Sequence, residues 1–450
     1  SSHTSLSSMS IGDGIGVLSV GGQNHRAGRS AMVMAEVSYI GLLRSNGPYR
    51  RLFTANEISY IGDWFSMIAL FLLAGEASDN SPLAIAGVLA TRSFTFAPLE
   101  PLTGMLADRY PRKWLMVLGN VWSFIILVSA LALGMLDSLE SVYLLGMAMV
   151  VGRAISSNAE SAYVPNICTK EELLSANALS SGGWSAAMGI GAGIGGLTIS
   201  KYGIETALWI DSLTFLIAIL LILSLPHGGP EKSIQRSFSM RAMLSEIVSG
   251  WSYILSMPSI RRVVLAKAMW ASGGGAQVFL LILIGKEAGF GDVAAGIGIL
   301  YMARGFGSGF GPIVSRRFMA NRMLIPYLLG GVLVISGAFY IAVAASEWTV
   351  IILVYVFISH GASGVNWVLS TTMLQQRSED KWLGRVFGTD SLGITLTMGL
   401  STVAAGLILE NGILSLRETI IATGALQILA GIFWILFATP SEKRMLNESV

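Results

Sequence analysis

From Leu52 onward, apolar runs of about 20 residues recur, separated by short segments that hold most of the charge. A helix rises about 1.5 Å per residue, so each run is long enough to span the roughly 30 Å hydrocarbon layer of a bilayer. Twelve runs are read, over about 53–75, 82–104, 113–136, 140–163, 174–199, 204–225, 262–285, 290–312, 321–345, 348–372, 386–409 and 416–438. Lipid supplies no hydrogen-bond partner, so these crossings must satisfy their backbone internally as helices. The expected fold is an all-α membrane protein with 12 transmembrane helices in two six-helix halves. The longest internal loop, 226–261, sets the division into 51–225 and 262–438.

Within that loop Met240, Met243, Leu244, Ile247, Val248, Trp251, Ile254 and Leu255 recur at helical spacing, opposite Arg241, Ser245, Glu246, Ser249 and Ser252. The pattern predicts an amphipathic helix lying on the membrane surface. Residues 1–50 hold eight serines in the first thirty positions, with Asp13 the sole acid there, which reads as a disordered or targeting tail. A short helix is expected near 32–43, and 439–450 reads as a C-terminal tail.

Charge changes this picture by orienting it. With the N-terminus and every even-numbered exit assigned to one side, that side holds twenty lysines and arginines, against Lys201, Lys286 and Arg417 on the other. Basic loops stay cytoplasmic, so both termini are expected inside. The plasma (inner) membrane is the expected location, or an organelle envelope of plastid type if the tail is a targeting segment. Composition removes other classes: 53% hydrophobic and 12% charged residues leave too little polar surface for a soluble globule of 450 residues. The net charge of +2 gives no reason to expect nucleic acid. Cys168 stands alone, and the four histidines form no metal-binding pair. No cofactor, no metal and no enzyme chemistry are expected, and the chain is read as a monomer.

One charged segment between two apolar runs has a specific form: Gly104-Met105-Leu106-Ala107-Asp108-Arg109-Tyr110-Pro111-Arg112-Lys113. It resembles the signature that major facilitator superfamily transporters carry between their second and third helices. Four further segments resemble the macrolide-efflux and enterobactin-exporter-like branch of that family. They are Ile61-Gly62-Asp63-Trp64, Tyr163-Val164-Pro165 with Glu171-Glu172-Leu173 and Ala176-Asn177-Ala178-Leu179, Asp211-Ser212-Leu213-Thr214-Phe215, and Gln375 with Gly384-Arg385-Val386-Phe387. In the fifth crossing Ala192 stands where the family's antiporter motif has proline. Gly191, Gly193 and Gly196 also fit a dinucleotide-loop spacing, but no strand precedes them. The resemblance implies that Asp108 faces the start of the eleventh crossing and that Arg112 reaches Glu160. With Gly104, Arg109 and Lys113 these form a conformational-switch motif.

Charges deep in a membrane are costly and mark function or pairing. Asp63, Arg92, Arg153 and Arg304 are placed centrally. Ser59, Asp63 and Ser66 share one helical face, as do Arg153, Ser157 and Glu160, and Ser359, Ser363, Asn366 and Ser370. The resemblance implies that crossings 1, 4, 7 and 10 line a central cavity, which adds Trp270 and Gln277 beside the Ser272-Gly273-Gly274-Gly275 run, where the helix is expected to bend or unwind. Glu57, Glu100 and Lys267 are expected to snorkel to the interface. Asp211 reads as a packing residue and His360 as structural.

The resulting expectation is a secondary active transporter that moves an amphipathic small molecule by alternating access, in proton-coupled efflux. A lipid or lysolipid flippase on the same scaffold is one alternative, and a non-transporting receptor or scaffold is another. The topology has a direct test on a Cys168→Ala background: Ser233→Cys and Ser138→Cys should react with an impermeant thiol reagent from opposite faces. Labelling of both from one face overturns the twelve-crossing order.

Overall fold

The computed structural model describes residues 37–228, 240–319, 321–379 and 381–448, and all regular structure among them is helical. A short α1 (Tyr39–Ser45) leads into six long helices: α2 (Gly47–Glu76), α3 (Pro82–Arg109), α4 (Arg112–Ala132), α5 (Leu139–Ile167), α6 (Lys170–Tyr202) and α7 (Ile204–Leu223). The linker helix α8 (Met240–Ser256) precedes a second six: α9 (Pro258–Glu287), α10 (Val293–Met319), α11 (Ile325–Ala345), α12 (Ile351–Arg377), α13 (Leu383–Glu410) and α14 (Leu416–Phe433). A π-turn, Trp434–Ala438, joins α14 to α15 (Thr439–Glu448).

Ten of these long helices are long and apolar enough to cross a bilayer. The other two, α6 and α10, are as long but carry glycine repeatedly, and they pack against each other. The glycines bring two backbones together. A β-carbon at Gly298 would lie 2.6 Å from the Ala192 carbonyl oxygen, and one at Gly196 2.4 Å from that of Ala294. In lipid, where burial of apolar surface cannot drive association, such close approach supplies dispersion contact.

Calling the end where α2 begins and α14 finishes the near end, the buried side chains divide by depth. At the far end a single core joins both sets of six, from Phe65, Phe71 and Ile85 through Leu208 to Phe279, Leu300, Tyr340 and Ile420. At the near end there are two cores. Leu52, Met116, Tyr163 and Ile222 belong to the first set, and Ile260, Leu329, Leu374 and Trp434 to the second.

Several local expectations need correction. The short helix expected near 32–43 is found at Tyr39–Ser45, and 47–50, read as tail, already belong to α2: Asn46 between them caps α2 and its amide also donates to Ile167 O (2.7 Å) and Glu172 Oε2 (3.0 Å), which fixes the entry angle. The C-terminal tail is the helix α15, whose buried Glu442 accepts from Arg262 (2.7 Å) and from Arg377, clamping the ends of α9 and α12. The linker helix does not simply lie on a surface. Gly250 packs on Thr389, Trp251 on Gly393, and Tyr253 stacks on Trp382 with centroids 4.5 Å apart, so α8 is docked on α13 while Leu244 and Val248 stay exposed. The glycine run in α9 does not unwind: the helix is continuous, and Gly273 and Gly275 seat Gln427 and the Met398 backbone. The remainder of the 1–50 and 226–261 readings, at 1–36 and 229–239, lies outside the described residues.

Filling the α6–α10 approach with a side chain should be far worse than filling open space. Gly298→Leu is expected to cost about 1–3 kcal/mol or more, read as a lower midpoint of thermal unfolding in detergent. Gly331→Leu, where nothing lies within 4 Å, should leave the midpoint unchanged. Equal effects would show that the close approach does not hold the helices.

Candidate functional site

The sequence-selected charges of the first set meet between α2 and α5. Arg153 Nε lies 4.0 Å from Asp63 Oδ2, and its guanidinium sits 3.8 Å over the ring of Tyr60. The Tyr60 hydroxyl donates to Glu160 Oε2 at 2.9 Å. Arg92 of α3 lies within electrostatic reach of Asp63 and Arg153, and Glu57 packs against Gly183 of α6. Asp63 and Arg153 retain 23% and 24% of their side-chain surface, so the pair is open enough to meet a ligand or water. Tyr60 was not selected from sequence and Glu57 was expected to snorkel, although they stand three residues apart on the helix that carries Asp63.

The three polar stripes do not survive as continuous faces. Ser59 donates to Asn120 of α4 at 3.5 Å, and Ser66 donates to Asp211 of α7, so both serve packing while Asp63 faces α5. Asp211 is fully buried against Gly62, as its reading as a packing residue requires. Ser157 bonds only to its own helix, at Ala154 O. Ser359 and Ser363 bond to Ser336 of α11, and Ser370 to Asn366 O, leaving Asn366 buried with neither amide atom paired.

The second set holds a feature that sequence reading missed. Lys267, expected to snorkel, is 2% exposed and donates to Asp390 Oδ2 of α13 at 2.5 Å, its ammonium 4.8 Å from the Trp367 ring. Trp270 packs on Trp367 with its indole N–H unpaired, and Gln277 is buried with an unpaired amide nitrogen. Arg304 reaches Met188 of α6 through a bond to sulfur at 3.0 Å. His360 is paired with the Tyr340 hydroxyl at 2.9 Å.

The two sets meet along two seams. At the far end Asn80 accepts from Lys286 (2.5 Å), and Glu410 accepts from Ser81 (2.8 Å). Along α3 and α13, Ala86 packs on Gly406 and Phe94 on Gly399, and Ser391 donates to Glu100 at 2.6 Å. Continued in that antiparallel register, Asp108 would face Gly384. Along α6 and α10 the packing runs from Gly196 and Gly298 through Gly189 and Gly305 to Ser185 and Gly309.

These observations agree with what comparison finds: the Major Facilitator Superfamily description matches residues 52–389. The chain belongs to that superfamily. The MFS-type transporter YfiS of Bacillus subtilis (strain 168) is 22% identical over 419 residues, covering 90% of this chain and 96% of that one. The enterobactin exporter EntS of Shigella boydii serotype 4 (strain Sb227) is 24% identical over 378 residues, covering 81% and 88%. Among solved structures, the POT family transporter PepTSo superposes with a TM-score of 0.68 at 12% identity, over 89% of this chain and 99% of that one. A bacterial homolog of the human lysosomal transporter Spinster, inward-facing and unoccupied, gives 0.67 at 16% identity, over 88% and 98%. The structures establish the fold, and the family and relatives support a role in membrane transport.

Within this major facilitator protein the signature segment departs from the arrangement its resemblance implies. Asp108 is exposed, and a β-carbon at Gly384, Gly388 or Gly104 would meet nothing within 4 Å, so the contact with the start of α13 is not made. Arg112 does not reach Glu160. It donates instead to Ala162 O (2.7 Å) and Asn166 Oδ1 (2.8 Å). Lys113 is buried and donates to Leu223 O and Leu225 O, neutralising the carbonyl end of α7. Arg109 is half-buried at the end of α3.

The Lys267–Asp390 pair predicts a stability pattern. Breaking a buried pair strands one charge, at a cost of about 3–5 kcal/mol, whereas replacing both partners with apolar residues is close to neutral. Lys267→Met and Asp390→Leu should each lower the thermal midpoint, and the double variant should regain most of the loss. A double variant less stable than either single one would show that the pair does not act as a unit.

Proposed function

We propose that the chain is a secondary active transporter that exports an amphipathic small molecule across the plasma (inner) membrane by alternating access, coupled to protons. The observation that carries this reading is the unequal packing of the two ends. The far end shares one core across both sets of six, the near end has two separate cores, and the Asp63–Arg153 pair stays partly open in the first set. Such packing supports the reading of a carrier whose near end opens while its far end remains sealed. Two relatives in name and structure support it: EntS is an exporter, and the Spinster homolog is inward-facing. Prolines supply places to bend. Pro98 and Pro101 interrupt the hydrogen-bond ladder of α3 where its packing on α13 ends, and Pro312 does so in α10 just past Gly309.

In this reading Asp63 carries the coupling proton and Arg153 tunes it. Desolvation favours the neutral carboxyl and the guanidinium favours the charged one, so a change in their separation between states changes proton affinity. Asp63→Asn should abolish uphill transport driven by a pH gradient in reconstituted vesicles and leave downhill substrate exchange largely intact. A variant that still concentrates substrate against its gradient would return Asp63 to a packing role.

A second reading, a lipid or lysolipid flippase, is favoured by an apolar groove of about 420 Å³ between α9 and α14. Met269, Leu426, Leu429, Phe433 and Phe437 line it. Movement of a labelled lysolipid between leaflets, with no movement of soluble amphiphiles, would select this reading over the first.

A further inference from the structure

The deep cations of the structure fall into two kinds. Lys267 has Asp390, Arg153 has Asp63, and Arg262 and Arg377 share Glu442. Arg92 lies within electrostatic reach of Asp63 and Asp211. Arg304 differs: no described carboxylate forms an ion pair with it. Its one hydrogen-bond acceptor is the Met188 sulfur at 3.0 Å, a weak one, and its Nε is enclosed without any acceptor. The guanidinium is bounded by aromatic faces, 5.4 Å from the Tyr301 ring and 6.0 Å from that of Trp64. Beside it Tyr301 donates to Val278 O at 2.8 Å and Tyr340 to Gln277 O at 3.1 Å. Gln277, 1% exposed, keeps its amide nitrogen unpaired.

An uncompensated guanidinium at membrane depth is expensive, and the expense is recovered when an anion with oxygen acceptors arrives. A planar guanidinium suits a carboxylate, which it can bind through two parallel hydrogen bonds. Aromatic rings flanking that position favour a flat apolar body next to the anionic group. The location also matters, because Met188 and Trp64 belong to the first set of six and Arg304, Tyr301 and Gln277 to the second. A group held there touches both.

We propose that Arg304 is the anchor for an anionic, carboxylate-like group on the transported molecule, with Trp64 and Tyr301 as the surface for its planar part. This rests on the transport reading and names the substrate class for it: amphipathic organic anions with a flat apolar portion. Arg304 is therefore a binding residue that the empty protein holds at the expense of its own stability.

The test uses the full chain in lipid nanodiscs with two probes of one skeleton, pyrenebutyrate and its uncharged methyl ester, and reads binding by fluorescence and stability by thermal unfolding. The wild type should bind the acid at least ten-fold more tightly than the ester. Arg304→Met should erase that preference while retaining ester binding, and the empty variant should unfold at the same temperature as wild type or higher. Arg304→Lys should keep part of the preference. The proposal is overturned if wild type does not prefer the acid, if Arg304→Met keeps the preference, or if the empty Arg304→Met protein is less stable than wild type. Failure of the transport reading would look different: an Arg304-dependent preference for the acid in a protein that moves no probe into vesicles.

Discussion

Everything else in this molecule depends on the approach of two helix backbones at Gly196 and Gly298. In a bilayer the solvent is as apolar as a leucine side chain, so helices are not driven together by burial of apolar surface. Contact must come from dispersion at short range and from a small number of polar links. The α6–α10 seam supplies the first, and the Asn80–Lys286 and Ser81–Glu410 bonds supply the second at the same end. The seal is confined to the far half of the seam, which allows the near end to hold two cores without the molecule falling apart. Had glycine continued with tight packing down to Gly182, the two sets would form a single rigid block. Gly182 instead faces open space.

Much of the fold was legible because lipid leaves few options. Runs of apolar residues had to be helices, and the helices lie close to where the runs placed them. The family signature at 104–113 was legible as chemistry but not as geometry. A motif specifies residue types, while the partner each one takes depends on the conformational state and on neighbours remote in sequence. Arg112 found the carbonyl of Ala162, and Tyr60 took Glu160. Tyr60 itself was invisible, since an aromatic residue in an apolar helix carries no sign that its hydroxyl is needed. Lys267 was misread for a related reason. Its position nine residues into α9 fits snorkelling, and only the fold reveals Asp390 across from it. The serine stripe on α12 shows the limit of periodicity, which identifies a face but not what the face meets.

The electrostatics also change once partners are known. In the structure Arg153 lies within the influence of Asp63, Glu57 and Glu160, so the first set is locally balanced or acidic. The unmatched charge is concentrated at Arg304, on the other side of the seam. In the transport reading, a polar interior divided in this way would separate the proton-exchanging group from the anion-holding one. The two tasks then need not compete for one residue.

The clamp at Glu442 has a consequence for how the protein is made. Its carboxylate lies in α15, yet it holds the start of α9 and the last turn of α12. Synthesis runs from the N-terminus, so Arg262 and Arg377 are both in the membrane before their shared counter-ion exists. Throughout that interval the second set of helices has two unmatched cations at one end. The second half therefore gains its clamp only after α15 has been made, and a chain lacking α15 would leave both cations unmatched.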